Sequence, residues 1–253
     1  MDDVGTVGTG PHRVLALHGW FGSGQGWGQL PDYVDRSAST WAFPDLRGYG
    51  ARRDEAGAHT VAEAARDTLA VADRLGWDRF SLVGHSMGAK YAQQVLVDAP
   101  DRVRSMVSIS GVPAGAVPLD EQGRALFTGA ADEPGNRYAI IDMTTGNRLP
   151  AAFVDGLVQH SLDVSDVEAF RDYFHAFCDE DIAAAVAPVA DRVPVLVVAG
   201  AHDAALGPDA AKATWLELYP QAELVVLPEA GHYPMYETPA LLVAAVEEFL
   251  ARA

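Results

Sequence analysis

The stretch FSLVGHSMGAKYAQQVL, Phe80 to Leu96, changes its periodicity at a single point. Up to His85 it is a short apolar run of the kind that forms a buried parallel strand. After Ser86 its apolar residues recur at helical intervals to about Asp98, ahead of Pro100. The switch falls on a serine with a glycine two residues to either side, Gly84 and Gly88. A strand that becomes a helix within one residue strains that residue's backbone. It also crowds the positions two away, where a side chain would clash. Gly-x-Ser-x-Gly in this setting predicts a nucleophile elbow that holds the Ser86 hydroxyl clear of the backbone, open to a carbonyl carbon. The motif alone arises by chance roughly 0.1 times in a chain this rich in glycine and serine. The strand before it and the helix after it supply the specificity.

A serine hydroxyl is a poor nucleophile until a base takes its proton. In this architecture base and acid follow in the order serine, acid, histidine. Asp203 follows the apolar run VPVLVVAG, and His232 follows AELVVLPEAG, beside Gly231. Both positions are the carboxyl ends of predicted strands, where α/β sheets gather their ligands. His232 is expected to take the Ser86 proton, and Asp203 to fix the histidine tautomer and stabilise the imidazolium. The competing role for Asp203 is a helix N-cap or loop carboxylate, with Asp209 as the other candidate acid. The amide of Met87, at the predicted helix start, and that of Trp20, in LHGWFGS, are the expected oxyanion donors, with Phe21 as the alternative to Trp20. His18 and His85 read as packing or hydrogen-bonding residues. His202 beside Asp203, without further ligands, is not a zinc pattern, so neither metal nor cofactor is expected.

Elsewhere RVLALHG, STWAFPDLRGYG and VRSMVSISG predict strands, the second ending near Asp45. TVAEAARDTLAVADRLGW predicts a helix with Thr60 as N-cap, Glu63 completing a capping box and Gly76 as its stop. DAAKATWLELY and PALLVAAVEEFLARA are two more helices. This alternation gives an α/β class, a mainly parallel sheet flanked by helices. From 112 to 190 no strand pattern occurs, only helical ones such as AAFVDGLVQHSL and VEAFRDYFHAFCDEDIAAAV. That is too long for a loop. The chain therefore divides into a core of residues 1–111 and 191–253 and a mostly helical cap insertion of residues 112–190.

His18-Gly19-Trp20, Asp45-Leu46-Arg47-Gly48-Tyr49-Gly50, Gly84-His85-Ser86-Met87-Gly88, Asp203 and Gly231-His232 together resemble the α/β-hydrolase superfamily. The resemblance covers nearly the whole chain except the insertion, which lies where that family carries a variable cap. It implies the α/β-hydrolase fold and a serine hydrolase that cleaves an ester, lactone or thioester through an acyl-enzyme. His-Gly-Trp with a serine elbow is similar to carboxylesterases acting on methyl esters of carrier-bound acyl chains. The same triad would serve carbon–carbon bond hydrolysis or cofactor-free perhydrolysis, and some members of the fold are small-molecule receptors with vestigial hydrolysis. The family usually opens with a β-hairpin before its first His-Gly. Only about a dozen residues precede RVLALHG, so one or two edge strands are expected to be missing. Asp45 and Arg47 are expected to shape a turn near the pocket.

The formal net charge of −17 repels phosphate backbones and anionic bilayers. A small-molecule substrate is expected, with neither nucleic acid nor membrane as partner. Cys178 is the sole cysteine and reads as a buried thiol; the acidic, glycine-rich start is not a signal peptide; and no apolar run reaches the roughly 18 residues of a membrane span. These features point to the cytoplasm. The aromatic residues of the insertion are expected to form its own core, with a subset facing the cleft. Trp20, Phe21, Met87, Tyr138, Phe174 and Tyr233 are the expected substrate contacts, which favours a substrate with a substantial apolar part.

Overall fold

Short apolar runs closed by glycine become strands when helices cover both faces of a sheet, because every side chain is then buried. The computed structural model describes residues 4–253 and contains seven strands among them: β1 (Thr6–Gly8), β2 (His12–Leu17), β3 (Ser39–Ala42), β4 (Phe80–His85), β5 (Val103–Ile109), β6 (Val195–Gly200) and β7 (Glu223–Leu227). They form one sheet in the order β1-β3-β2-β4-β5-β6-β7. All pairs are parallel except β1 with β3, where Thr6 faces Ala42. Every residue of β3, β4 and β6 is buried, whereas the edge strand β7 has exposed positions. At that edge of the sheet one short antiparallel strand, β1, precedes β2.

The helices are α1 (Leu30–Tyr33), α2 (Val61–Arg74), α3 (Met87–Asp98), α4 (Glu121–Gly129), α5 (Pro134–Thr144), α6 (Ala151–Val164), α7 (Val167–Asp179), α8 (Ala183–Val186), α9 (Pro208–Leu218), α10 (Pro234–Glu237) and α11 (Pro239–Arg252). The ends of α2 follow from local chemistry. Thr60 accepts the Glu63 amide, and the Glu63 carboxylate reaches back to the amide of His59, one residue beyond the expected N-cap partner. At the other end Gly76 takes φ +67°. The Trp77 amide then bonds Ala72 O and the Gly76 amide bonds Asp73 O, a Schellman closure that a Cβ would strain.

Between β5 and β6 run α4 to α8. Helix α7 places Phe170, Phe174 and Phe177 against Trp20, which follows β2, with the Phe170 ring 4.1 Å from the indole. Two buried cations fasten this layer. Lys90 on α3 donates to the carbonyls of Gly115 (3.0 Å), Phe177 (2.9 Å) and Glu180. Arg137 on α5 donates to Ala130 O and Ser161 Oγ and lies 3.7 Å over the Phe170 ring. No helix among the described residues is long and apolar enough to cross a membrane.

Candidate active site

Ser86 joins β4 to α3 with φ 51° and ψ −118°, a conformation that costs a non-glycine residue about 1–3 kcal/mol. A Cβ on Gly84 would stand 2.4 Å from Ala89 Cα, and one on Gly88 2.1 Å from Leu17 O. Both contacts are with backbone that cannot yield. The paired glycines of the motif are therefore demanded by the turn itself.

Asp203 lies just beyond β6 and His232 just beyond β7. His232 Nδ1 donates to Asp203 Oδ2 at 2.6 Å, so Nε2 is left as the basic nitrogen. Asp203 Oδ1 accepts the amides of Ala205 (2.9 Å) and Leu206 (3.0 Å). Burial works against the Asp203 charge, but His232 and these amides outweigh it and hold the carboxyl below its ordinary range. Asp209 is fully exposed and paired with Lys212. Ser86 and His232 line one cavity. They make no hydrogen bond to each other, as is common before a substrate draws a catalytic pair together.

Two further histidines flank the site. His85 Nε2 donates to the His232 carbonyl at 2.9 Å. His18 Nε2 accepts the Leu46 amide at 3.1 Å, which leaves its Nδ1 to donate to Gly19 O at 2.9 Å. Burial lowers the pKa of both, that of His85 to about 3, so each is a neutral spacer. Asp45 ties two loops by accepting the amides of Gly24 and Ala51, while Arg47 forks onto Asp67.

The Met87 amide opens α3, and among the described residues neither it nor the Trp20 amide donates to a protein group. A Cβ on Gly19 would lie 3.1 Å from Ser86 Cβ and 2.7 Å from His85 Nδ1, so only glycine lets this turn approach the serine. The turn is held by the Tyr49 hydroxyl on Trp20 O (2.9 Å) and by Trp20 Nε1 on Phe170 O (2.7 Å). Among the same described residues the Phe21 amide has no partner either.

A model of the alpha/beta hydrolase family matches residues 14–246. The chain belongs to the α/β hydrolase family. Over 96% of its length and 97% of the relative's, this hydrolase is 26% identical to the pimeloyl-[acyl-carrier protein] methyl ester esterase of Nitrosomonas europaea. It is 33% and 32% identical to epoxide hydrolases 3 and 2 of Siraitia grosvenorii over 49% and 42% of this chain, but the matches span only 40% and 34% of those relatives. In fold it matches a hydrolase from Oleispira antarctica, with a TM-score of 0.86 over 98% of this chain and 94% of that one, at 17% identity.

The cavity of this hydrolase has a volume of about 190 Å³. Its wall combines Ser86, His85 and His232 with side chains from the loops after β2 and β6 and from α4, α5 and α7. Among the described residues no lysine, arginine, aspartate or glutamate lines it. Of the expected substrate contacts, Trp20, Phe21 and Tyr233 are on the wall. Met87 is fully buried below it and can offer only its amide. Tyr138 and Phe174, expected at the cleft, do not line this cavity. Phe174 packs behind Trp20 with the Arg124 guanidinium over its ring, and Phe177, almost one turn further along α7, takes the wall position. On α5 the cavity is met by Ile140 and Thr144 instead of Tyr138. Val117, Leu119, Phe127 and Leu206 also line it; no spacing in the sequence singled them out. Cys178 is buried on the same wall, where burial raises its thiol pKa. No metal-sized cluster of ligands occurs among the described residues.

Proposed function

We propose that this α/β hydrolase is a serine hydrolase acting on a small, uncharged, largely apolar ester, lactone or thioester. The observation that carries the proposal is the 2.6 Å His232–Asp203 bond on a cavity shared with a serine held at positive φ. Ser86 Oγ attacks the carbonyl carbon as His232 Nε2 takes its proton, and Asp203 balances the imidazolium. The oxyanion lies between the amides of Met87 and Trp20. The imidazolium then gives its proton to the leaving alkoxide or thiolate. Water enters, His232 removes its proton, and the acyl group departs as the acid.

The nucleophile bears on the choice among relatives. Attack of a serine hydroxyl on an epoxide would leave an ether that water does not cleave, so the part-length similarity to epoxide hydrolases does not transfer their reaction. The near full-length similarity to a methyl ester esterase supports ester chemistry. Carbon–carbon hydrolysis of a diketone would ask the His232 imidazolium to protonate a carbanion or enolate, a more basic leaving group than the alkoxide of an activated ester, and no lysine or arginine on the cavity wall adds to its support. Peroxide in place of water would give a peracid at the same site. The unpaired buried thiol of Cys178 fits a reducing compartment, and we assign the enzyme to the cytoplasm.

Ser86→Ala should lower p-nitrophenyl butyrate turnover by about 10³-fold or more while the circular dichroism stays native. A fluorophosphonate should label the wild type and not the variant. A variant with undiminished turnover ends the proposal.

A further inference from the structure

The loop that carries His232 is held by a carboxylate outside the triad. Glu237 ends α10, and its side chain is 2% exposed. Its Oε2 accepts the amide of Gly231 at 2.8 Å and its Oε1 the amide of Tyr233 at 3.0 Å. These are the residues immediately before and after His232. The amide of His232 itself donates to Thr144 O, at the end of α5, at 3.1 Å. Four residues further along the insertion, Arg148 donates to the Glu237 carboxylate and to the carbonyl of Glu229 at 2.9 Å. Three consecutive amides are thus fixed, two by one carboxylate and one by the cap.

The bond to the Tyr233 amide also caps α10, but the bond to Gly231 reaches outside that helix, and burying a carboxylate is costly unless it is hydrogen-bonded, as this one is by two amides and a guanidinium. The benefit falls on the histidine between the two amides. Its imidazole has to stay within a fraction of an ångström of a productive line to Ser86, and a misplacement of about 1 Å can cost on the order of 100-fold in rate.

We propose that Glu237 is a positioning residue which, with Arg148 of the cap, sets the placement of the His232 imidazole opposite Ser86. The proposal rests on the serine mechanism given above. It also makes the seating of the cap part of the base's support, because both Thr144 O and Arg148 belong to the insertion.

Glu237→Gln keeps the side-chain size and one acceptor oxygen, but its NH₂ cannot accept the second amide and the charge facing Arg148 is gone. In the folded variant, kcat for p-nitrophenyl butyrate should fall roughly 10- to 100-fold while KM changes less than about threefold. The downfield proton resonance of the His232–Asp203 hydrogen bond should broaden or vanish in the NMR spectrum. Arg148→Gln, at a partly exposed position, should lower kcat in the same sense by roughly 3- to 10-fold. It carries the test if Glu237→Gln does not fold. A folded variant with wild-type kcat, or one that loses kcat with the resonance intact, overturns the proposal. Failure of the fluorophosphonate to label the wild type would overturn the serine mechanism instead, and the resonance alone would then decide whether Glu237 positions the histidine.

Discussion

His85 occupies the variable position of the elbow, beside the nucleophile, and its chemistry is fixed by one bond. A carbonyl only accepts, so the bond to His232 O puts the proton on Nε2. Burial, and then the nearby His232, hold its pKa at about 3, against 6.5 for an unperturbed imidazole. Above pH 6.5 the residue is neutral whether the chain is folded or not. Between pH 6.5 and 3 the unfolded chain takes up a proton that the folded chain refuses, so stability falls as pH falls through that window. Full expression of the shift is worth a few kcal/mol. His18 shifts in the same direction for the same first cause, and the lowered Asp203 carboxyl loses its contribution towards lower pH still. His85→Gln, whose amide keeps a donor for His232 O, should flatten the decline of Tm from pH 6.5 towards 4. A variant whose Tm declines with pH as steeply as that of the wild type would exclude His85 as a source of acid sensitivity.

Helix α3 begins at the elbow, and four residues after Ser86 it buries Lys90, whose ammonium meets the carbonyls of Gly115, Phe177 and Glu180. A helix leaves its last carbonyls without partners, and a cation there satisfies them and opposes the end of the macrodipole; for α7 that cation comes from another element. Lys90→Met would leave these carbonyls unpaired in a dry interior and should cost about 2–4 kcal/mol in urea unfolding. Because Phe177 and Cys178 line the cavity, KM for an apolar ester should rise as well. Unfolding at wild-type urea concentrations would show that the anchor contributes nothing. The same contrast between near and distant partners explains how far the sequence alone reaches. The bounds of α2 follow from Thr60 and Gly76, and the elbow from Gly84 and Gly88, because each device closes within a few residues. Strand β1 escapes because it is three residues long and rich in glycine, with its pairing set by Ala42 and its neighbours. The roles of Lys90 and Arg148 escape because the groups they bind lie up to 90 residues away. The wall of the cavity escapes for a subtler reason. Phe174 and Phe177 fit one helical stripe equally well, and only the rotation of α7 against Trp20 decides which of them reaches the cleft.

The whole molecule carries a formal charge of −17, and among the described residues no lysine or arginine stands on the cavity wall to offset it. Two separate barriers then act against an anionic substrate. The first is long-range repulsion during approach, which is screened over about 30 Å at 0.01 M salt and about 10 Å at 0.1 M. The second is desolvation, since a carboxylate entering an apolar cavity gives up its hydration without a partner, and salt does not relieve that. The two are separable with a neutral butyrate ester and the hemisuccinate of the same alcohol, which differ mainly by one charge. At low ionic strength the neutral ester should be favoured in kcat/KM by about tenfold or more. Raising salt from about 0.01 to 0.3 M should speed the hemisuccinate several-fold and leave the butyrate unchanged. The preference that survives at high salt measures the cavity, and the part that salt removes measures the surface. Equal rates for the two esters at both ionic strengths would mean that a cation reaches the bound substrate after all, and with it would go the restriction to uncharged substrates.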